Sequence, residues 1–136
     1  MTENVPQKAL VVVADGIGAR FFRNLGNALH IELSAEGELK PSNLLDEGPS
    51  GVRPSEQSHQ ENDEATFAKQ LAKDLYRRAH GGDFASLVLI ADPQTLGQIR
   101  PLLHKEVQER LTAELGKTLT KASISDIQKA LVTLSD

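Results

Sequence analysis

The sequence predicts one α/β domain in which a three-stranded antiparallel meander precedes alternating helices and strands. Three observations carry this expectation. Two continuous aliphatic runs, 9–14 (Ala-Leu-Val-Val-Val-Ala) and 86–91 (Ser-Leu-Val-Leu-Ile-Ala), read as central strands buried on both faces. Elsewhere the apolar period becomes that of a helix, with Phe67, Leu71, Leu75 and Ala79 spaced four apart. The 136 residues, 39% of them hydrophobic, suffice for a single packed core spanning 1–136.

The first run closes on Asp15-Gly16, a turn signal. Residues 19–24 follow as a second strand ended by Asn24 and Gly26, and 29–34 (Leu-His-Ile-Glu-Leu-Ser) alternates with period two as a third. From Ala35 to Asn62 the periodicity disappears among Gly37, Pro41, Gly48, Pro49, Gly51 and Pro54, which predicts a long flexible loop at about 36–62. Connections of that length are usually functional or disordered.

Ser58-His59-Gln60-Glu61 has the form of a capping box, with Asn62 and Asp63 as equal alternatives for the N-cap. The helix reaching residue 80 ends in Arg77, Arg78, His80 and Gly81-Gly82, a cationic last turn and a glycine stop. After the second aliphatic run, Asp92-Pro93 supplies an N-cap and a first-turn proline for a helix with Leu96, Ile99 and Leu103 inward, which Pro101 breaks or kinks. The stretch 104–118 stays open between helix, on the spacing of Val107, Leu111 and Leu115, and strand. Ser123, with Asp126 three residues on, opens a last helix that buries Ile124, Ile127, Leu131 and Leu134. With a strand at 111–118 the order is β-β-β-α-β-α-β-α. Right-handed crossovers then set the strand at 86–91 beside the first, in a mixed five-stranded sheet with helices on its faces. That succession is the one found in the ribonuclease H-like fold, an analogy of fold that does not carry function with it.

Composition narrows the chemistry. Fifteen basic against nineteen acidic residues give a net charge of −4, the wrong sign for holding nucleic acid through the overall field, so an anionic partner has to be met locally. The balance is uneven: 1–60 carries five basic and eight acidic side chains, 61–80 four of each, and 81–136 six basic and seven acidic. Four Phe, one Tyr and no Trp speak against a broad aromatic platform for bases. The lack of Cys removes disulfides, thiol nucleophiles and thiolate metal sites, and the four His include no tight His-x-x-x-His pair. No signal peptide and no run long enough for a bilayer are present, which predicts a soluble cytoplasmic domain without a membrane partner.

Several ordered motifs carry a resemblance. They are Ala9 to Ala14 with Asp15-Gly16-x-Gly18-Ala19-Arg20-Phe21-Phe22, the stretch Glu64 to Ala72, Leu87 to Pro93 with Leu96-Gly97, and Leu115-Gly-Lys117-Thr-Leu119-Thr. Together, from about Lys8 to Leu134, they resemble the bacterial host-attachment protein family, described as required for attachment to host cells and related to the catalytic middle domain of archaeo-eukaryotic peptide-chain release factors. In the release factors the loop between the third strand and the first helix carries Gly-Gly-Gln. The corresponding span here, 46–60, holds Gly48, Gly51, Arg53, Gln57, His59 and Gln60 but no Gly-Gly-Gln, and Gly81-Gly82 lies after the helix. The resemblance therefore does not imply peptidyl-tRNA hydrolysis.

Two constellations compete for function. Asp15 and Asp92 end strands predicted to be neighbours, as do metal-holding carboxylates in ribonuclease H-like nucleases. An Asp-Gly turn and a helix N-cap account for both equally well. Lys69, Lys73 and Arg77 recur every four residues opposite Phe67, Leu71 and Leu75, a stripe suited to an anionic partner or simply a solvated face balanced by Glu61, Asp63 and Asp74. His59 is a loop imidazole with no identified carboxylate partner. Gly16 and Gly18 lead into a strand, which excludes a phosphate loop. The expectation is a non-enzymatic binding or adaptor protein without cofactor or metal. It would work on RNA, the ribosome or a protein through Gly48, Gly51, Arg53, Gln57, His59, Lys69, Lys73 and Arg77. The alternative is a metal-dependent phosphodiesterase using Asp15 and Asp92.

Overall fold

In the computed structural model, residues 5–27, 29–40 and 59–134 are described, the last stretch with side chains from 66 to 133. The chain forms β1 (Leu10–Asp15), β2 (Gly18–Asn24), β3 (Leu33–Leu39), α1 (His59–His80), β4 (Leu87–Ala91) and α2 (Pro93–Ile99). A 3-10 turn (Arg100–Leu102) leads to α3 (Lys105–Arg110), β5 (Leu111–Gly116) and α4 (Ile124–Leu134). One sheet runs β3-β2-β1-β4-β5. The meander pairs are antiparallel, while β1 with β4 and β4 with β5 are parallel. This mixed α/β sheet is the one expected, and its order is compatible with the ribonuclease H-like arrangement.

Strand alternation divides the core. Leu10, Val12 and Ala14 of β1 and Leu87, Leu89 and Ala91 of β4 face α1, α2 and α3, meeting Phe67, Leu71, Leu75, Ile99 and Val107. Val11, Val13, Val88 and Ile90 face the other way, onto Ile127 and Leu131 of α4. Both faces of β1 and β4 are thus covered, which is why these strands are aliphatic throughout.

The local signals act as their chemistry predicts. Asp83 N–H donates to Arg78 O (2.8 Å) and Gly82 N–H to Ala79 O (3.0 Å), a Schellman ending with Gly82 at φ 79°. Asp92 caps α2, and Pro101 lies in the 3-10 turn where α2 ends. Ser123 Oγ accepts the Asp126 N–H at 3.1 Å, capping α4. Segment 104–118 resolves into both readings in succession, a six-residue helix and then a strand.

The third strand differs from expectation. The alternating stretch 29–34 is mostly turn, and β3 continues to Leu39, into the first residues of the predicted loop; α1 likewise begins at His59. The cause is side-chain capping of the turn. Buried Asn24 donates from Nδ2 to the carbonyls of Val5, Pro6 and Asn27 and accepts at Oδ1 from Gly26 and Glu32 N–H. Asn27 Oδ1 accepts from Leu29 and His30 N–H. Gly26 is required here, since a Cβ would lie 1.9 Å from His30 O. As an edge strand, β3 buries only Leu33 fully, so its polar run carries no strand signature. A bulge at Glu36 aims its carboxylate at Arg23, which also reaches Asp83. Burial opposes the Arg23 charge, but these two carboxylates outweigh it and raise the guanidinium pKa.

Candidate functional site

The carboxyl ends of β1 and β4 place Asp15 and Asp92 just beyond the paired residues Ala14 and Ala91. Their carboxylates are engaged. Asp15 Oδ1 accepts the Ile17 N–H (2.8 Å), closing the β1–β2 turn, and Oδ2 accepts the Thr120 hydroxyl (2.9 Å). Asp92 Oδ2 accepts the Thr95 N–H (3.1 Å) and Oδ1 the Thr95 hydroxyl (2.7 Å). Among the described residues no group of three or more His, Cys, Asp or Glu is arranged to hold a metal ion. Arg20 completes a clasp at this end, donating from one guanidinium nitrogen to Thr120 O (3.0 Å) and Ala122 O (2.9 Å). Asp15 and Arg20 together thus pin the segment after β5 across the meander. The turn and cap readings account for the two aspartates, and no observation favours the phosphodiesterase.

Beside the clasp begins a chain of three hollows of about 520, 530 and 450 Å³. The first is lined by Asp15, Arg20, Lys40, Thr120 and Lys121. It adjoins the second through Leu39 and Lys40, where Gln70, Lys73, Asp74 and Arg77 of α1 form the wall. The second adjoins the third through Lys73 and Tyr76, where Lys69, Ala72, Leu102 and His104 complete the lining. Six cations against three carboxylates line the groove, a local basic path on an acidic chain.

The cations are not equivalent. Arg77 contacts Asp74, and Arg78 pairs with Asp74 and Asp83 while lying 4.4 Å over the Phe21 ring, so both are tied to structure. Lys69 and Lys73 are exposed and form no ion pair among the described residues. Gln70 Oε1, in the same groove, is buried without a hydrogen-bond partner among the described residues.

Of the residues singled out from sequence, Lys69, Lys73 and Arg77 are brought together on the groove wall. Gly48, Gly51, Arg53 and Gln57 lie outside the described residues; His59 begins α1, and its side chain is outside them too. Sequence reasoning did not single out Lys40, Lys121, Tyr76 or His104. Tyr76 was readable as the one tyrosine, on the flank of the stripe helix, but its meeting with His104 is tertiary. Their rings stack at 4.0 Å between centroids and 27° between planes.

No helix among the described residues is long and apolar enough to cross a membrane. Among curated proteins no relative matches this chain. Residues 8–131, nearly the whole chain, match a family model of bacterial release-factor relatives, in accord with the release-factor relationship read from the motifs; the match carries no host-attachment designation. The chain belongs to bacterial archaeo-eukaryotic release factor family 12.

Proposed function

We propose that this chain is a non-catalytic, cytoplasmic RNA-binding protein of the release-factor lineage, docking on the ribosome or another structured RNA through the groove along α1. The observation that carries the reading is the pair Lys69 and Lys73. They are exposed, one turn apart on a 22-residue helix, and without ion pairs among the described residues, where the neighbouring Arg77 and Arg78 each have one. Like charges at that spacing weaken a helix slightly, and a polyanion relieves them. Membership of a release-factor family supports an RNA or ribosomal partner.

The proposal also assigns Gly48, Gly51, Arg53, Gln57 and His59, in the segment after Lys40, as further contacts. It lacks Gly-Gly-Gln, which favours binding over hydrolysis. A part in attachment to host cells, implied by the narrower resemblance, is then indirect, through effects on translation.

Ribosome co-sedimentation tests the reading. Wild type pellets with ribosomes at low salt, and the variant Lys69→Glu/Lys73→Glu/Arg77→Glu stays in the supernatant with an unchanged circular dichroism spectrum. Equal pelleting of the two sinks it.

A further inference from the structure

The third hollow differs from the rest of the groove in being floored by rings. Tyr76 comes from α1 and His104 from the corner before α3, and both line the same 450 Å³ space with Leu102 and Ala72. His104 is held in place as the N-cap of α3: its Nδ1 accepts the Glu106 N–H at 3.0 Å, which sets the proton of the neutral ring on Nε2. His104 is an exposed residue, so the stack is reachable from solvent on its side. Glu106 is itself engaged, by His80 at 3.3 Å and by Arg110 at 3.9 Å. Lys69 and Lys73 stand on the pocket wall.

A flat π surface beside two exposed cations that are unpaired among the described residues matches a ligand that is itself planar and linked to phosphate. Paired bases in a duplex cannot present their faces, whereas unpaired ones do. An acidic peptide meets the cations but leaves the rings without a partner. A hollow of this volume lies in the range of small-ligand sites.

We infer that this pocket takes one unpaired base of single-stranded RNA, stacked on the Tyr76–His104 pair with the neighbouring phosphates on Lys69 and Lys73. The inference rests on the RNA-binding reading above and specifies its substrate class. Composition argued against a broad aromatic platform, and what the fold assembles instead is a two-ring site for one base.

The chain carries one Tyr and no Trp, so its tyrosine emission reports from this pocket alone. Titrating the full chain with oligouridylate is expected to quench that emission in step with binding followed by anisotropy of a labelled oligonucleotide. His104→Asn keeps an N-cap acceptor and removes the ring. It is expected to weaken single-strand binding roughly tenfold while leaving duplex affinity unchanged. Single-strand binding with unquenched Tyr76 emission and no effect of His104→Asn overturns the pocket while the RNA reading stands. Equal quenching by oligoglutamate also overturns it. Failure of both single strand and duplex to bind removes the RNA reading, and the pocket with it.

Discussion

The carboxyl ends of β1 and β4 and the outer face of α1 both present charges at positions where function is often found, and they differ in what surrounds those charges. At the strand ends every oxygen of Asp15 and Asp92 accepts a hydrogen bond from within the fold. On α1, Lys69 and Lys73 have no ionic partner among the described residues, although Arg77 and Arg78 share Asp74 close by. Charge at the strand ends closes a turn, caps a helix and pins a loop. Charge on α1 is carried on a helix and left to the solvent, which is the condition for recognising something outside the molecule.

The sharpest way to break this contrast is to remove the α1 charge without touching the fold. Lys69→Gln/Lys73→Gln is expected to lower affinity for single-stranded RNA roughly tenfold at low salt. It should flatten the slope of log K against log salt by about 1.4, two phosphate contacts at about 0.7 each. Thermal stability should stay within about 0.5 kcal/mol, as for other exposed positions. An unchanged slope places the phosphates elsewhere. Asp92→Ala is expected to do the reverse. Losing the cap of α2 costs about 1 kcal/mol, which lowers Tm by about 4 °C in a chain of this size, with RNA affinity unchanged. An Asp92→Ala variant that keeps its Tm and loses RNA binding would reverse the assignment of the two regions.

What was legible in the sequence follows the same divide. Local, self-contained devices were readable: the Asp15 turn, the Asp92-Pro93 start of α2, Ser123 with Asp126, and the Gly81-Gly82 stop each depend on residues within a few positions. The two aliphatic runs were readable as central strands because burial on both faces leaves no room for polar side chains. The register of β3 was not. An alternating pattern at 29–34 looks like a strand until Asn24 and Asn27 claim its backbone N–H groups, and Leu29 ends 85% exposed in the resulting turn. Half of the candidate site was likewise legible. The stripe on α1 follows from helical spacing, but whether its cations are paired depends on the rotamers of Asp74 and its neighbours. The Tyr76–His104 stack needs α1 and the corner before α3 to be packed together.

A smaller effect separates the two aspartates. Thr120→Val removes the hydroxyl that Asp15 Oδ2 accepts and leaves the Ile17 N–H on Oδ1, so a loss of about 0.5–1 kcal/mol is expected. Measured by denaturant melts, the loss should appear as a lower midpoint with an unchanged m-value. A larger loss accompanied by altered m points to release of the whole segment after β5, which Arg20 otherwise still holds through Thr120 and Ala122.

The smallest expected effect is the most discriminating, because it separates a cap from a metal ligand at one atom. Asn caps helices as well as Asp does. In Asp92→Asn the amide oxygen can take the Thr95 N–H, while the amide nitrogen donates to the Thr95 hydroxyl, which accepts as readily as it donates. The substitution should therefore leave Tm almost unchanged. A metal-binding Asp92 needs its negative charge, because hard divalent cations are held chiefly by carboxylate oxygens. Titrating wild type with Mg²⁺ or Mn²⁺ to millimolar concentration should then leave the amide signals at Asp15 and Asp92 unmoved, as in Asp92→Asn. Shifts in the wild type that vanish in Asp92→Asn at equal stability would return the strand ends to the list of working sites.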